Sequence, residues 1–156
     1  MPLTSEPLSN SSSLYNDVIL DHIRNARNFR ELGDANRKAQ GLNPLCGDTF
    51  TVYARVEGDR VAEASFQCDC CGISMASASV MTEAITGSTV SEARSLYRHF
   101  ERLLTDPAGT PAQPGDHGQL AVLALIREFP SRVNCALLGW KTLDAALDGR
   151  SEVTIG

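Results

Sequence analysis

The stretch Cys68-Asp69-Cys70-Cys71-Gly72-Ile73-Ser74-Met75-Ala76-Ser77-Ala78-Ser79-Val80-Met81-Thr82-Glu83 organises the rest of the chain. It opens on three thiols and continues at helical spacing. Ile73, Ser77, Val80 and Ala84, with Met81 and Ile85 beside them, fall near one face. The run of Ala and Ser lets another element approach this backbone closely. Cys71 stands where the helix begins, and unpaired N–H groups and the positive dipole end favour a thiolate there. Just upstream, Phe50, Val52, Ala54 and Val56 alternate with Thr51, Tyr53 and Arg55, the pattern of a half-buried strand. Glu57-Gly58-Asp59-Arg60 turns the chain, and Ala62, Ala64 and Phe66 alternate again. Asn43-Pro44-Leu45-Cys46-Gly47-Asp48 before the hairpin is a turn, with Pro44 fixing one φ and Gly47 freeing another. Antiparallel pairing brings the hairpin's outer ends together, Cys46 and Asp48 at one and Cys68 to Cys71 at the other.

Further out the signals are helical. Ser13 is positioned as the N-cap of a first helix over about Leu14 to Ile23. Asn25 to Asn43 has little periodicity and reads as loop, with a short edge strand near Gln40 to Leu42. After the central helix Gly87 is placed as a C′ residue, and Thr89-Val90-Ser91-Glu92 is a capping box for the next helix. Asp106 to Gly118, with Pro107, Pro111 and Pro114, reads as an inserted loop. Leu120 to Phe129 reads as helix stopped by Pro130, and a last helix is expected from about Asn134, carrying Ala136, Trp140, Leu143 and Leu147 inward. That would put Cys135 at a second helix start. The expected organisation is a Ser-rich disordered tail over residues 1–13, one domain over 14–150, and a C-terminal tail over 151–156.

The chain's 156 residues suit a single domain, and its 42% hydrophobic and 21% charged residues are ordinary for a globular protein. A net charge of −5 argues against nucleic acid or an anionic membrane as partner. No apolar run approaches the roughly 20 residues of a membrane span. The start lacks the basic and apolar regions of a signal peptide, so the expected location is cytoplasmic, where thiols stay reduced. Five cysteines in such a chain point to metal or sulfur chemistry before disulfides, and an odd count cannot all pair within one chain.

Zinc takes four ligands tetrahedrally from Cys, His and carboxylate. Cys46, Asp48, Cys71 and Cys135 would supply three thiols and a carboxylate, and Arg132 is a cation positioned to offset their charge. The spacing lacks the paired Cys-x-x-Cys knuckles of a zinc finger. On spacing alone a second reading therefore stands: Cys135 as a buried apolar residue, and Cys46 and Asp48 as turn residues. His22, His99 and His117 adjoin no cysteine and read as packing or solvated side chains. Asp69 reads as a solvated charge and Trp140 as core.

Four stretches together resemble the IscU/NifU-N family of iron–sulfur assembly proteins, and within it the SufU branch. They are Leu14-Tyr15 with Val18-Ile19-Leu20-Asp21-His22; Asn43 through Asp48; Cys71-Gly72-Ile73-Ser74 with Ala76 through Thr82; and Pro130-Ser131-Arg132-Val133-Asn134-Cys135-Ala136-Leu137-Leu138-Gly139-Trp140. The resemblance implies an α+β domain with a small antiparallel sheet packed against several helices, the SufE/NifU-like fold. It implies zinc held by Cys46, Asp48, Cys71 and Cys135. The implied activity is that of a zinc-dependent sulfurtransferase: Cys46 accepts persulfide sulfur from a SufS-like cysteine desulfurase, and the sulfur passes toward a SufB-containing scaffold complex. Arg132 then helps Cys46 leave the metal. The alternative it carries is an IscU-like scaffold on which an iron–sulfur cluster is assembled.

Two features bear on that choice. IscU scaffolds carry histidine immediately before the third cysteine, where this chain has Asn134, and the Asp106–Gly118 loop resembles the SufU insertion. The family also carries glycine at the positions of Cys68 and Cys70. Glycine there points to positive φ or close backbone approach, so cysteines are expected to alter the turn. These extra thiols are open to binding metal, accepting sulfur, or pairing with each other or with Cys46.

Overall fold

The alternating residues on either side of Gly58 form the middle of a sheet. The computed structural model describes residues 16–106 and 118–154. Strands β1 (Arg37–Asn43), β2 (Asp48–Glu57), β3 (Arg60–Asp69) and β4 (Glu152–Thr154) lie in the order β3-β2-β1-β4. β2 pairs antiparallel with both β1 and β3, while β4 runs parallel to β1. The sheet is therefore mixed, and residues 152–154, expected as tail, are its edge strand. Three residues are too few to show a pattern in sequence; β4 exists because β1 offers it a free edge.

β1 is the larger surprise, because sequence showed only a short edge strand near Gln40. Its inward residues are Ala39, Gly41 and Asn43, buried beneath the last helix. A Cβ on Gly41 would collide with Thr142 Oγ1. The inward positions must be small for the helix to approach, so the strand lacks the large apolar residues by which strands are recognised. Asn36 extends the pairing, with its side chain exchanging two 2.8 Å hydrogen bonds with the Val56 backbone.

The helices are α1 (Asp17–Arg24), α2 (Gly72–Ile85), α3 (Val90–Thr105), α4 (Gly118–Leu123) and α5 (Pro130–Leu147), with a 3₁₀ turn over Ala124–Glu128. Asn16 caps α1, its side-chain oxygen accepting from the Val18 and Ile19 N–H groups at 3.0 and 3.1 Å. The expected Ser13 cap and the 1–13 tail lie outside the described residues, as do His117 and the interior of the Asp106–Gly118 loop. The capping box at Thr89 and Glu92 forms as expected, and Gly87 adopts φ +89°.

One correction matters for the site. The expected Leu120–Phe129 helix tightens into the 3₁₀ turn, and Pro130 begins α5 instead of only ending its predecessor. Proline suits the first helical position, whose N–H has no intrahelical partner anyway. Cys135 consequently lies in the second turn of α5, not at its start.

One face of the sheet is covered by helices. Phe50 and Phe66 stack at 5.9 Å between ring centroids, and Trp140 is fully buried with Phe100 at 5.0 Å. α2 is buried along nearly its whole length, as its small residues predicted. At Gly139 an added Cβ would stand 3.2 Å from Phe50 and 3.3 Å from Ala78, so α5 presses close on both β2 and α2. Among the described residues no helix is long and apolar enough to cross a membrane.

Candidate thiol and metal site

The site grows from the turn that joins β1 to β2. Asn43 is buried, and its side-chain oxygen accepts from the Leu45 N–H at 3.0 Å. Its carbonyl accepts from the Gly47 N–H at 2.8 Å, while Gly47 takes φ +79°. Asn43 and Asp48 face each other in the ladder, so Pro44 to Gly47 form a four-residue loop pinned at both ends. Cys46 is exposed on this loop, beside Leu45, which is 82% exposed. Asp48, the first residue of β2, is buried.

Opposite the loop, Cys71 is the N-cap of α2 with extended backbone. From α5 comes the buried Cys135. Ligand atoms of Cys46, Asp48 and Cys135 lie within 4.8 Å of one another. Cys71 stands outside that mutual spacing but hydrogen-bonds with Cys135. Three elements distant in sequence thus converge, as the hairpin argument anticipated for two of them.

Ser74, one turn into α2, ties the group together. Its hydroxyl donates to Asp48 Oδ2 at 2.7 Å and lies 3.0 Å from the Cys135 carbonyl and 3.4 Å from Cys71 Sγ. Sequence reasoning passed over this residue as part of a small-residue run. The available signal was its position three after an N-cap cysteine, where a side chain reaches back to the helix start.

The two inner thiols divide one proton between them. Hydrogen bonding with Cys135, and then with Ser74, pulls Cys71 down to about 5, against burial and the Asp48 carboxylate. Cys135 is pushed far up, first because its S–H donates to the Cys71 thiolate, then by burial and by the negative charge of Cys71, Cys46 and Asp48. Cys71 is thus the thiolate that its helix-start position led us to expect. A cation placed here would meet sulfur and carboxylate donors in the combination zinc accepts, so the donor set fits the metal.

The other marked residues are placed as follows. Arg132 is half-buried in the first turn of α5, three residues before Cys135. His22 is buried with Nδ1 2.6 Å from Ser79 Oγ, a packing histidine. His99 lies in α3 and, like His22, does not belong to the Cys46–Asp48–Cys135 cluster. Asp69 is exposed, and Trp140 donates from Nε1 to Ser77 Oγ at 3.1 Å. Cys68 and Cys70 pair with each other as a disulfide. Neither adopts positive φ; among the described residues Asn28 is the one non-glycine that does. The turn therefore accommodates cysteine without the left-handed backbone that glycine had suggested.

Comparison with known proteins fits this arrangement. The NifU-like N terminal domain matches residues 14–136. The chain belongs to the NifU N-terminal domain family. Among curated members, the zinc-dependent sulfurtransferase SufU of Bacillus subtilis is 37% identical over 87% of this chain and 90% of its own. The iron–sulfur cluster assembly scaffold protein IscU of Thermotoga maritima is 38% identical over 86% of this chain and 92% of its own. Among solved structures, a SUF-system assembly scaffold protein from Fervidobacterium islandicum superposes with a TM-score of 0.79 at 31% identity, covering 88% of this chain and 98% of that one. This NifU N-terminal domain is thus of the kind found in iron–sulfur cluster assembly proteins.

Proposed function

We propose that the protein is a zinc-dependent sulfurtransferase that accepts persulfide sulfur on Cys46 from a cysteine desulfurase and relays it to a cluster-assembly scaffold. The observation that carries this reading is the division of roles among the thiols. Cys71 and Cys135 are built into α2 and α5, while Cys46 sits exposed on the β1–β2 loop, next to Gly47 with its positive φ. Of the proposed ligands Cys46, Asp48, Cys71 and Cys135, Cys46 can leave with the least disturbance of packing. Bound zinc would keep the thiols deprotonated and the loop folded inward.

Cys46, released when a partner supplies a competing ligand, then attacks the outer sulfur of the desulfurase persulfide. The desulfurase cysteine leaves as thiolate and the sulfane sulfur stays on Cys46. The exposed Leu45 beside it offers an apolar tip for docking. Arg132 contributes a positive charge near the start of α5, suited to pairing with the thiolate as it departs. A SufS-like desulfurase and a SufB-containing recipient are the partners this reading names, and the cytoplasm is its location.

After incubation with desulfurase and cysteine, mass spectrometry should show a sulfur-sized increment on the Cys46 peptide, and Cys46→Ser should abolish it. An increment confined to the Cys68–Cys71 peptide would overturn the assignment. The comparable similarity to proteins named as scaffolds supports a second reading, in which the same ligands hold an iron–sulfur cluster. Purified zinc protein is colourless, whereas a cluster absorbs in the visible.

A further inference from the structure

A four-ligand site uses three of the five cysteines and leaves Cys68 and Cys70 without a role. We propose that these two form an internal dithiol that reduces a persulfide on Cys46 to sulfide. The inference rests on the sulfurtransferase reading and adds a second activity to it.

The placement follows from strand parity. Phe50 pairs with Cys68 and Thr49 with Asp69, the last pair of the ladder, so Cys70 is the first residue beyond β3, at the end of the sheet where β2 starts at Asp48. Ala64 and Phe66 are buried beneath the helices, and Cys68 and Cys70 continue their parity along the chain. Both cysteines are partly buried against the core, while Asp69 between them is exposed. Asp48 is within 4.8 Å of Cys46 Sγ. Cys46 and Cys70 therefore lie at the same end of the sheet, one on the Pro44–Gly47 loop and the other just past β3.

A purely stabilising role explains the pair poorly. The two cysteines are separated by a single residue, and closing so short a loop removes little entropy from the unfolded chain. Paired with each other, the two sulfurs are also not in the thiolate form that a metal ligand needs.

The chemistry closes without an outside electron source. The Cys70 thiolate attacks the inner sulfur of Cys46–S–SH, forming a Cys46–Cys70 disulfide. The terminal S–S bond breaks and hydrosulfide leaves with the electron pair. Cys68 then attacks Cys70, forming the Cys68–Cys70 disulfide and releasing the Cys46 sulfur, which takes up the Cys68 proton. Two thiols are oxidised and one sulfane sulfur is reduced by two electrons. Their two protons end on hydrogen sulfide and on Cys46. The disulfide seen in the structure is the product state, and each further round requires an external dithiol reductant. Desulfurases deliver sulfane sulfur whereas clusters contain sulfide, and this pair would supply the missing electrons.

The test uses zinc-loaded protein, reduced and desalted without oxygen, then given desulfurase and one equivalent of cysteine with no other reductant. We expect close to one sulfide per chain and one Cys68–Cys70 disulfide formed alongside it, counted by alkylation and peptide mapping. Cys68→Ser and Cys70→Ser should release at least tenfold less sulfide and accumulate the Cys46 persulfide. Wild-type protein with the disulfide already formed should behave like the variants, which removes any dependence on how the variants fold. Equal sulfide from reduced and oxidised wild type would overturn the proposal. So would sulfide release without disulfide formation. If desulfurase places no sulfur on any thiol, the sulfurtransferase reading fails instead. Inorganic polysulfide then loads Cys46 directly, and the same comparison of reduced with oxidised protein decides the dithiol step.

Discussion

At the level of single residues, the shared proton of Cys71 and Cys135 gives the metal-free protein a defined pH response. An unfolded thiol titrates near about 8.5, while folded Cys71 is held at about 5. A depressed acid stabilises the fold fully above its unfolded value, and that stability is lost as pH falls toward 5. Cys135 is shifted the other way, so above about 8.5 it charges more readily in the unfolded chain and opposes further gain. Chelator-treated protein should therefore grow more stable from pH 5 to about 8.5, then level or decline. In the same protein, iodoacetamide should modify Cys71 with a midpoint near 5 and leave Cys135 intact. A Cys71 midpoint near 8.5 would contradict the hydrogen bond between Cys71 and Cys135. Asp48 invites a second substitution. As the one oxygen donor proposed for a borderline-soft metal, it is the ligand most easily exchanged. Asp48→Ala should weaken zinc by at least about tenfold, the loss typical even of outer-sphere partners, and should slow sulfur uptake. If the variant instead purifies brown with visible absorption, the scaffold reading gains.

At the level of elements, the contact between β1 and α5 sets the register of the sheet against the helical layer. Gly41 faces Thr142, whose hydroxyl donates to the Leu138 carbonyl at 2.7 Å. Gly41→Ala places a methyl on that oxygen and should cost about 1–3 kcal/mol, the usual range for overpacking. Thr142→Ala in the same chain should recover most of the loss, as read by denaturant unfolding. Additive losses would show that the two residues do not meet. The same contact explains what sequence could and could not reveal. β2, β3 and α2 were legible because Phe50, Val52, Phe66 and Ile73 state their period in large side chains. β1 was not, since close packing demanded Ala39 and Gly41 where a pattern would need Val or Ile. The start of α5 was misplaced because Pro130 can end one helix or begin the next, and the short 3₁₀ turn before it settles which. Cys46, Asp48 and Cys71 were placed together by hairpin logic alone. Cys135 was a candidate on residue type alone, with a buried apolar role equally open, since periodicity does not report which end of α5 meets the sheet; the family resemblance favoured the ligand reading.

Across the whole molecule, the candidate ligands lie where the β1–β2 loop, the start of α2 and the second turn of α5 meet, while the large apolar residues lie deeper. Trp140, Phe100, Phe66 and Phe50 are fully buried or nearly so, and none depends on a metal for its contacts. This separates the molecule into a self-sufficient core and an end that a metal would fasten. Structural zinc supplies on the order of 10 kcal/mol in small zinc-finger peptides, which have no such core. Here the effect should be local as well as global, because binding to the native state stabilises what the ligands hold. We expect about one zinc per chain, lost in Cys71→Ser and Cys135→Ser. Hydrogen exchange, compared between zinc-loaded and chelator-treated protein, should quicken most at Pro44–Asp48 and in the first turns of α2 and α5. Amides of β2 near Val52 and of α5 around Trp140 should change little. Uniform acceleration across the sheet and helices would mean that the metal holds the entire fold, and no difference anywhere would mean that this cluster of thiols binds none. A pattern confined to the loop and the two helix ends would match a site built to let Cys46 out while the rest of the domain stays folded.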